Sequence, residues 1–228
     1  MVMIEWATLG IEGCCFSSIT RSGIPSVVSS RDVKQVVIGL DVMDFRAKWA
    51  DGLSYVDFLN HYASPDQRHR WESQRSLVKL TKDQELLLAG FQREMLVVVV
   101  AGAWCGDCSQ QCPIFEVLAS QAARLQIRYF DRDDQSDLAE ALSICGGHRV
   151  PSVLFLSEDF APCGRYGDRT LAKYRDSAAA LSGDSCPSGL VPPAASLQSA
   201  VIQEWLDQFE RVQLMLRLSP RLRQKHND

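Results

Sequence analysis

The chain has 228 residues, 46% of them hydrophobic, with 24 Lys and Arg against 28 Asp and Glu for a formal net charge of −4. That length suits one globular domain with appendages or two small ones, with a core that needs no disulfide staples. The acidic balance leaves no basic footprint of the kind nucleic acid demands, and no stretch approaches the ~20 apolar residues of a membrane span, so neither partner is expected.

Residues 1–42 are Ser-rich, charge-poor and without helical period, with one short strand at "VKQVVIGL". Met43 is available as a second start, and the segment is read as an extension outside the fold. Its opening, "MVMIEWATLGIEGCC", lacks the basic start and unbroken apolar run of a signal peptide, because Glu5 and Glu12 interrupt it. The eight cysteines follow no secreted-domain spacing, so a cytoplasmic protein in a reducing compartment is expected. Residues 43–83 read as a helical addition. "LSYVDFLNHYAS" places Leu53, Val56, Phe58 and Leu59 at helical intervals. A polar link anchored by Trp71 and Leu77 follows. A second helix opens at Thr81, with Gln84 or Glu85 near the capping-box position.

Residues 84–180 carry the main pattern. "MLVVVVA" is β-branched without alternation, which predicts a strand covered on both faces. "PIFEVLASQAARL" predicts a helix with Ile114, Val117, Leu118 and Leu125 on its apolar face. "QIRYFDR" reads as a strand, "QSDLAEALSI" as a helix and "GGHRVP" as a turn. "SVLFLSEDFAPCGRYG" reads as a hairpin around Ser157-Glu158-Asp159. "DRTLAKYRDSAAAL" predicts a helix starting near Asp168. The order β-α-β-α-β-β-α predicts an α/β fold with a central mixed β-sheet flanked by helices. Residues 181–196 are a Pro-, Gly- and Ser-rich linker. Residues 197–228 form an amphipathic helix and a basic tail. Val201, Trp205, Phe209, Val212 and Leu216 recur at three- and four-residue intervals, a stripe expected to dock on the same chain. The tail "RLSPRLRQKHND" is read as solvated.

The stretch "VVVVAGAWCGDCSQQCP" puts a C-x-x-C pair, Cys105 and Cys108, where a strand passes into a helix. The first turn of a helix has N–H groups without intrahelical partners. With the macrodipole they favour a thiolate, which predicts a Cys105 pKa lowered from about 8.5 toward neutrality. Cys108 lies nearly one turn on, shielded by the turn above it. Cys105 therefore attacks and Cys108 resolves the mixed disulfide. Zinc sites use the same spacing, but Cys112, Cys145, Cys163 and His148 supply no second pair, and three ligands from one helix do not easily converge on one ion. No metal is expected. Cys112 reads as a buried packing thiol, with a regulatory disulfide as the alternative. Cys14, Cys15, Cys163 and Cys186 are given no role.

Residues 84–180 resemble the thioredoxin-like family. "WCGDC" is similar to the family's Trp-Cys-Gly-Pro-Cys motif. Pro113 falls where the family kinks its helix. "RVPSVLFL" resembles the strand whose cis proline faces the disulfide, which points to Pro151. Gly167 matches the spacing of a family glycine near the active-site surface. The "WCGDC" variant and the preceding helices resemble a bacterial thioredoxin-like subgroup. The resemblance implies a thioredoxin-like fold with added N-terminal helices and a C-terminal helix. It implies a protein-disulfide oxidoreductase with Cys105 and Cys108 catalytic, supported by Trp104, Gly106, Asp107, Val150 and Pro151. Substrate would meet Trp104, Val150, Pro151 and Gly167, with Val150 and Pro151 pairing edge-on with an extended segment. No cofactor is implied beyond the redox-active Cys105–Cys108 disulfide. The implied partners are disulfide-bearing proteins and a dithiol donor such as a thioredoxin reductase. The alternative is a binding module whose disulfide is regulatory and whose terminal helix carries the partner contact.

Three departures from that family stand out. Val99 and Tyr129 fill the places of a buried aspartate and a lysine, and Asp107 replaces the proline between the cysteines. Asp107 reads either as a substitute proton relay for Cys108, at the cost of like-charge repulsion on the thiolate, or as a solvated first-turn acid. The family topology also brings the turn with Cys145 and His148 near the site.

Overall fold

The run Met95–Ala101 is buried at every position, and the neighbouring elements are arranged to cover it. A computed structural model of the chain describes residues 43–181 and 195–228, all within the compact unit Val37–Asp228. The expected strand at 33–40, Cys14, Cys15 and Cys186, and residues 182–194 of the expected linker lie outside the described residues. Strand β1 (Met95–Ala101) pairs in parallel with β2 (Leu125–Asp131) and antiparallel with β3 (Ser152–Ser157), and β3 pairs antiparallel with β4 (Pro162–Gly167). The sheet order is β2-β1-β3-β4. Ahead of it come α1 (Phe45–Ala50), α2 (Tyr55–Tyr62), α3 (Pro65–Leu77) and α4 (Lys82–Ala89). Then α5 (Gly106–Gln121) follows β1, α6 (Ser136–Ala141) follows β2, and α7 (Leu171–Leu181), α8 (Ala195–Leu218) and α9 (Pro220–His226) follow β4. This is a mixed α/β architecture with helices around one sheet.

Several local details differ from the sequence reading. The polar link is the helix α3. Its apolar pattern is nearly silent because only Trp71 and Gln74 are buried, and its start is set by Pro65 in the first turn and a capping box between Ser64 and Gln67. Leu77, expected as an anchor, is 43% exposed, while Trp71 is completely buried. Leu125 opens β2 rather than extending α5, which ends at Gln121. The helix expected near Asp168 begins at Leu171. Glu204 of α8 accepts the Leu171 and Ala172 N–H groups and so caps α7 from a neighbouring element. Thr81 and Gln84 form the capping box of α4.

The C-terminal segment is integral to the core. Val201, Trp205, Phe209, Val212 and Leu216 are all buried. Phe115 meets Trp205 edge-on at 4.5 Å between centroids, and Phe155 meets Phe209 at 5.2 Å. Gln213 clamps the approach to β1, accepting from Arg93 N at 2.7 Å and donating to Arg93 O at 2.9 Å. The basic tail expected in solvent is instead the helix α9. Leu222 is buried, Arg221 pairs with Asp159, and Lys225 and His226 pair with Glu158. A basic run hid an apolar anchor whose acidic partners lie on a distant hairpin. Among the described residues, no helix is long and apolar enough to cross a membrane.

Candidate active site

Cys105 is the N-cap of α5, with extended backbone, and its Sγ accepts the Cys108 N–H at 3.4 Å. The loop that delivers it is fixed on two sides. Cys105 N donates to Gly102 O at 3.0 Å, and buried Trp71 of α3 donates its indole N–H to Ala103 O at 3.0 Å. Trp104 between them is 46% exposed. Its ring lies so close over Gly102 that a Cβ there would come within 2.7 Å of it, and the Arg132 guanidinium sits 4.5 Å from the ring centroid. An apolar wall with a cationic rim therefore stands beside the half-buried sulfur.

The opposite wall is the loop entering β3. The Val150–Pro151 peptide is cis, and Cys105 Sγ–H donates to Val150 O at 3.5 Å. Gly167 ends β4 against this loop with φ +139, where a Cβ would run into the Pro151 carbonyl oxygen. The structure thus brings Trp104, Cys105, Gly106, Cys108, Val150, Pro151 and Gly167 into one place. Cys108 is fully buried beneath Cys105, and Cys112 is fully buried one turn below that. Pro113 is accommodated inside α5 although it cannot donate to the turn above. The five described cysteines are free thiols. Among the described residues, no three His, Cys, Asp or Glu side chains gather as a metal-binding group.

Two expectations are corrected here. The Cys105 thiol is pushed up, not down, first by hydrogen bonding with the Cys108 thiol and then by burial. The Cys108 N–H pulls the other way, while Cys108 and Asp107 add repulsion. One helix-terminal N–H does not outweigh a sulfur partner and partial desolvation. Asp107 is neither a free relay nor solvated. Arg169 Nε holds one of its oxygens at 2.7 Å and Lys173 Nζ the other at 2.6 Å, so both oxygens are committed to cationic partners far from Cys108 in sequence. Cys108 and Cys112 are both raised, in each case chiefly by burial.

Cys145 lies exposed with φ 51 on the turn closed by Ile144 and Gly147, and His148 is paired with Glu140 at 2.6 Å. Further residues, Gln111, Arg149 and Glu116 with Tyr129, support the site. Gln111, fully buried, donates to Asp168 O at 2.9 Å and accepts from Trp205 Nε1 at 2.9 Å, so α8 is bonded to the loop after Gly167. Arg149 pairs with Asp168 at 3.4 Å. Tyr129, opposite Val99 in the sheet register, donates to Glu116 at 3.0 Å and to Cys112 O at 3.3 Å. Glu116 lies on the stripe 105, 108, 112, 116, a three- and four-residue spacing legible in the sequence.

A helix that starts on a cysteine pair at the end of a central strand, faced by a cis-proline loop, defines a thioredoxin-fold protein. A protein-family model described as thioredoxin matches residues 52–175, and the chain belongs to that family. The match takes in α2 to α4 along with the sheet. No curated protein matches the sequence. Among solved structures, a crystal structure of a protein of unknown function from Pseudomonas aeruginosa aligns with a TM-score of 0.57 at 17% identity, over 71% of this chain and 91% of that one. An HIV epitope scaffold aligns with a TM-score of 0.53 at 17% identity, over 77% of this chain and 95% of that one. At such identity both likenesses concern the fold alone.

Proposed function

We propose that the protein is a thiol–disulfide oxidoreductase that reduces protein disulfides through Cys105 and Cys108. The observation that carries this reading is the position of the Cys105 sulfur: at the mouth of the site, against the Val150 carbonyl, with Cys108 directly behind it. Cys105 attacks a substrate sulfur and releases the other half as a thiol. Cys108 then attacks Cys105, freeing the second half and leaving the Cys105–Cys108 disulfide. Two electrons pass to the substrate, and an external dithiol donor such as a thioredoxin reductase restores them, with no bound cofactor. Trp104 supplies apolar contact for the substrate, and Val150, Pro151 and Gly167 form the wall along which an extended segment lies. A cytoplasmic setting, where thiols are kept reduced, suits this chemistry.

Turnover of insulin disulfides with a dithiol reductant tests the reading. Cys105→Ser abolishes it, and Cys108→Ser accumulates a mixed disulfide on Cys105. Full activity in Cys105→Ser sinks the mechanism. The upward shift of the Cys105 thiol favours a second reading, a binding module with a regulatory disulfide. Such a module takes up two electrons per chain but does not turn over with any reductant.

A further inference from the structure

The buried half of the dithiol raises a question of proton balance. Before Cys108 can attack a mixed disulfide on Cys105 it must lose a proton, yet its side chain is completely enclosed by the protein. Asp107, the nearest carboxylate in sequence, is held by Arg169 and Lys173. The exit lies the other way along α5. Cys112 lies fully buried one turn beyond Cys108, and Glu116 follows one turn further on, where the Tyr129 hydroxyl reaches both the Cys112 carbonyl at 3.3 Å and the Glu116 carboxylate at 3.0 Å. The positions 105, 108, 112 and 116 make one stripe, so three sulfurs and a carboxylate succeed each other along one face of α5, away from the mouth of the site.

Resting on the reductase reading above, we propose that Glu116 accepts the proton Cys108 must lose, with Cys112 handing it on. Cys108 passes its proton to the Cys112 sulfur as Cys112 gives its own to the Glu116 carboxylate. The Cys108 thiolate then bonds to Cys105 Sγ, and the bond from Cys105 to the substrate sulfur breaks. The substrate leaves as a thiolate and takes a proton from solvent, while the Glu116 proton is lost to solvent on its partly exposed side. No oxidant is needed beyond the substrate disulfide.

The surroundings of Glu116 fit this task. Burial raises its carboxyl above the usual range, while the Tyr129 hydroxyl that donates to it and Arg75 on α3 pull it back, and Glu72 on α3 pushes it up. Tyr55 on α2 also faces this cluster. Its ring packs against Tyr129 at 5.8 Å, its hydroxyl is buried without a hydrogen-bond partner, and it is influenced by both Cys112 and Glu116. Helices α2 and α3 thus enclose the relay as well as support the loop. A carboxylate poised closer to neutrality than an exposed one matches the requirement for a proton acceptor.

The test separates the two thiol steps. Full-length protein is mixed with a peptide disulfide, quenched with acid and analysed by mass spectrometry for the adduct on Cys105. The wild type forms the adduct and loses it. Glu116→Gln is expected to form the adduct within twofold of the wild-type rate, which also shows that it is folded. Its adduct should decay roughly a hundredfold more slowly at neutral pH, the lower end of what a general base contributes. Decay in the variant should rise about tenfold per pH unit, without the wild type's plateau above the carboxyl's titration. Cys112→Ala should slow decay likewise, and Tyr129→Phe should move the plateau to higher pH. Wild-type decay rates and pH profiles in Glu116→Gln overturn the relay alone. No adduct on wild-type Cys105 overturns the reductase reading, and the relay with it.

Discussion

Removing the bond between Trp205 and Gln111 tests whether the C-terminal helix is part of the site's scaffold or merely lies on it. In Trp205→Phe the Gln111 amide oxygen loses its 2.9 Å donor in a fully buried location. An acceptor stranded in that way costs about 1–3 kcal/mol. The missing part of the indole, packed edge-on to Phe115 and Tyr166, costs a further ~1–2 kcal/mol as a cavity. A total of about 2–5 kcal/mol corresponds to a fall in Tm of roughly 5–15 °C for a body of this size. Gln111→Leu strands the Trp205 N–H instead and also frees the Asp168 carbonyl. The double variant removes both halves of the bond, so its loss should fall short of the summed single losses by about 1 kcal/mol or more. Urea denaturation of the four proteins, followed by far-UV circular dichroism, measures the cycle. A coupling below about 0.5 kcal/mol, the scatter expected of independent sites, would mean that α8 is held by packing alone.

Two other outcomes follow from the same contacts. Burial holds the Glu116 carboxyl above its usual range, so the folded protein keeps a proton that the unfolded chain has released. Stability from this group is complete below the unfolded value of about 4.3 and declines as pH rises through the raised folded value. Glu116→Gln should flatten that decline, seen as a smaller change in urea midpoint between pH 4 and 7; equal slopes in the two proteins refute the buried environment. Gly167→Ala should destabilise by on the order of 3 kcal/mol, because the new methyl meets the Pro151 carbonyl oxygen and φ +139 suits only glycine. Its Cys105 should also alkylate at an altered rate as Pro151 is displaced. Unchanged stability and alkylation would mean that the Pro151 loop yields freely.

Much of this was legible in the chain. The unalternating run at 95–101 required cover on both faces, and the break to "WCGDC" placed a cysteine at a helix start. The intervals of Val201, Trp205, Phe209, Val212 and Leu216 required a core to receive them. These are periodic or local signals, and local chemistry fixes them. Helix α3 escaped notice because its two inward side chains are too few to make a period, although "SPDQ" announced its cap.

What tertiary structure alone decided are the partnerships between distant residues. By its sequence Asp107 is a relay or a solvated acid; in the fold Arg169 and Lys173 occupy both its oxygens. By its sequence the basic tail is solvated; in the fold Glu158 and Asp159 face it. The helix end alone lowers the Cys105 thiol toward neutrality, but the second sulfur and then the enclosure around it reverse that direction. Helix-end chemistry and side-chain period are properties of neighbours in sequence. Desolvation and ion pairing depend on which remote side chains fill the remaining space, and only the assembled fold determines that.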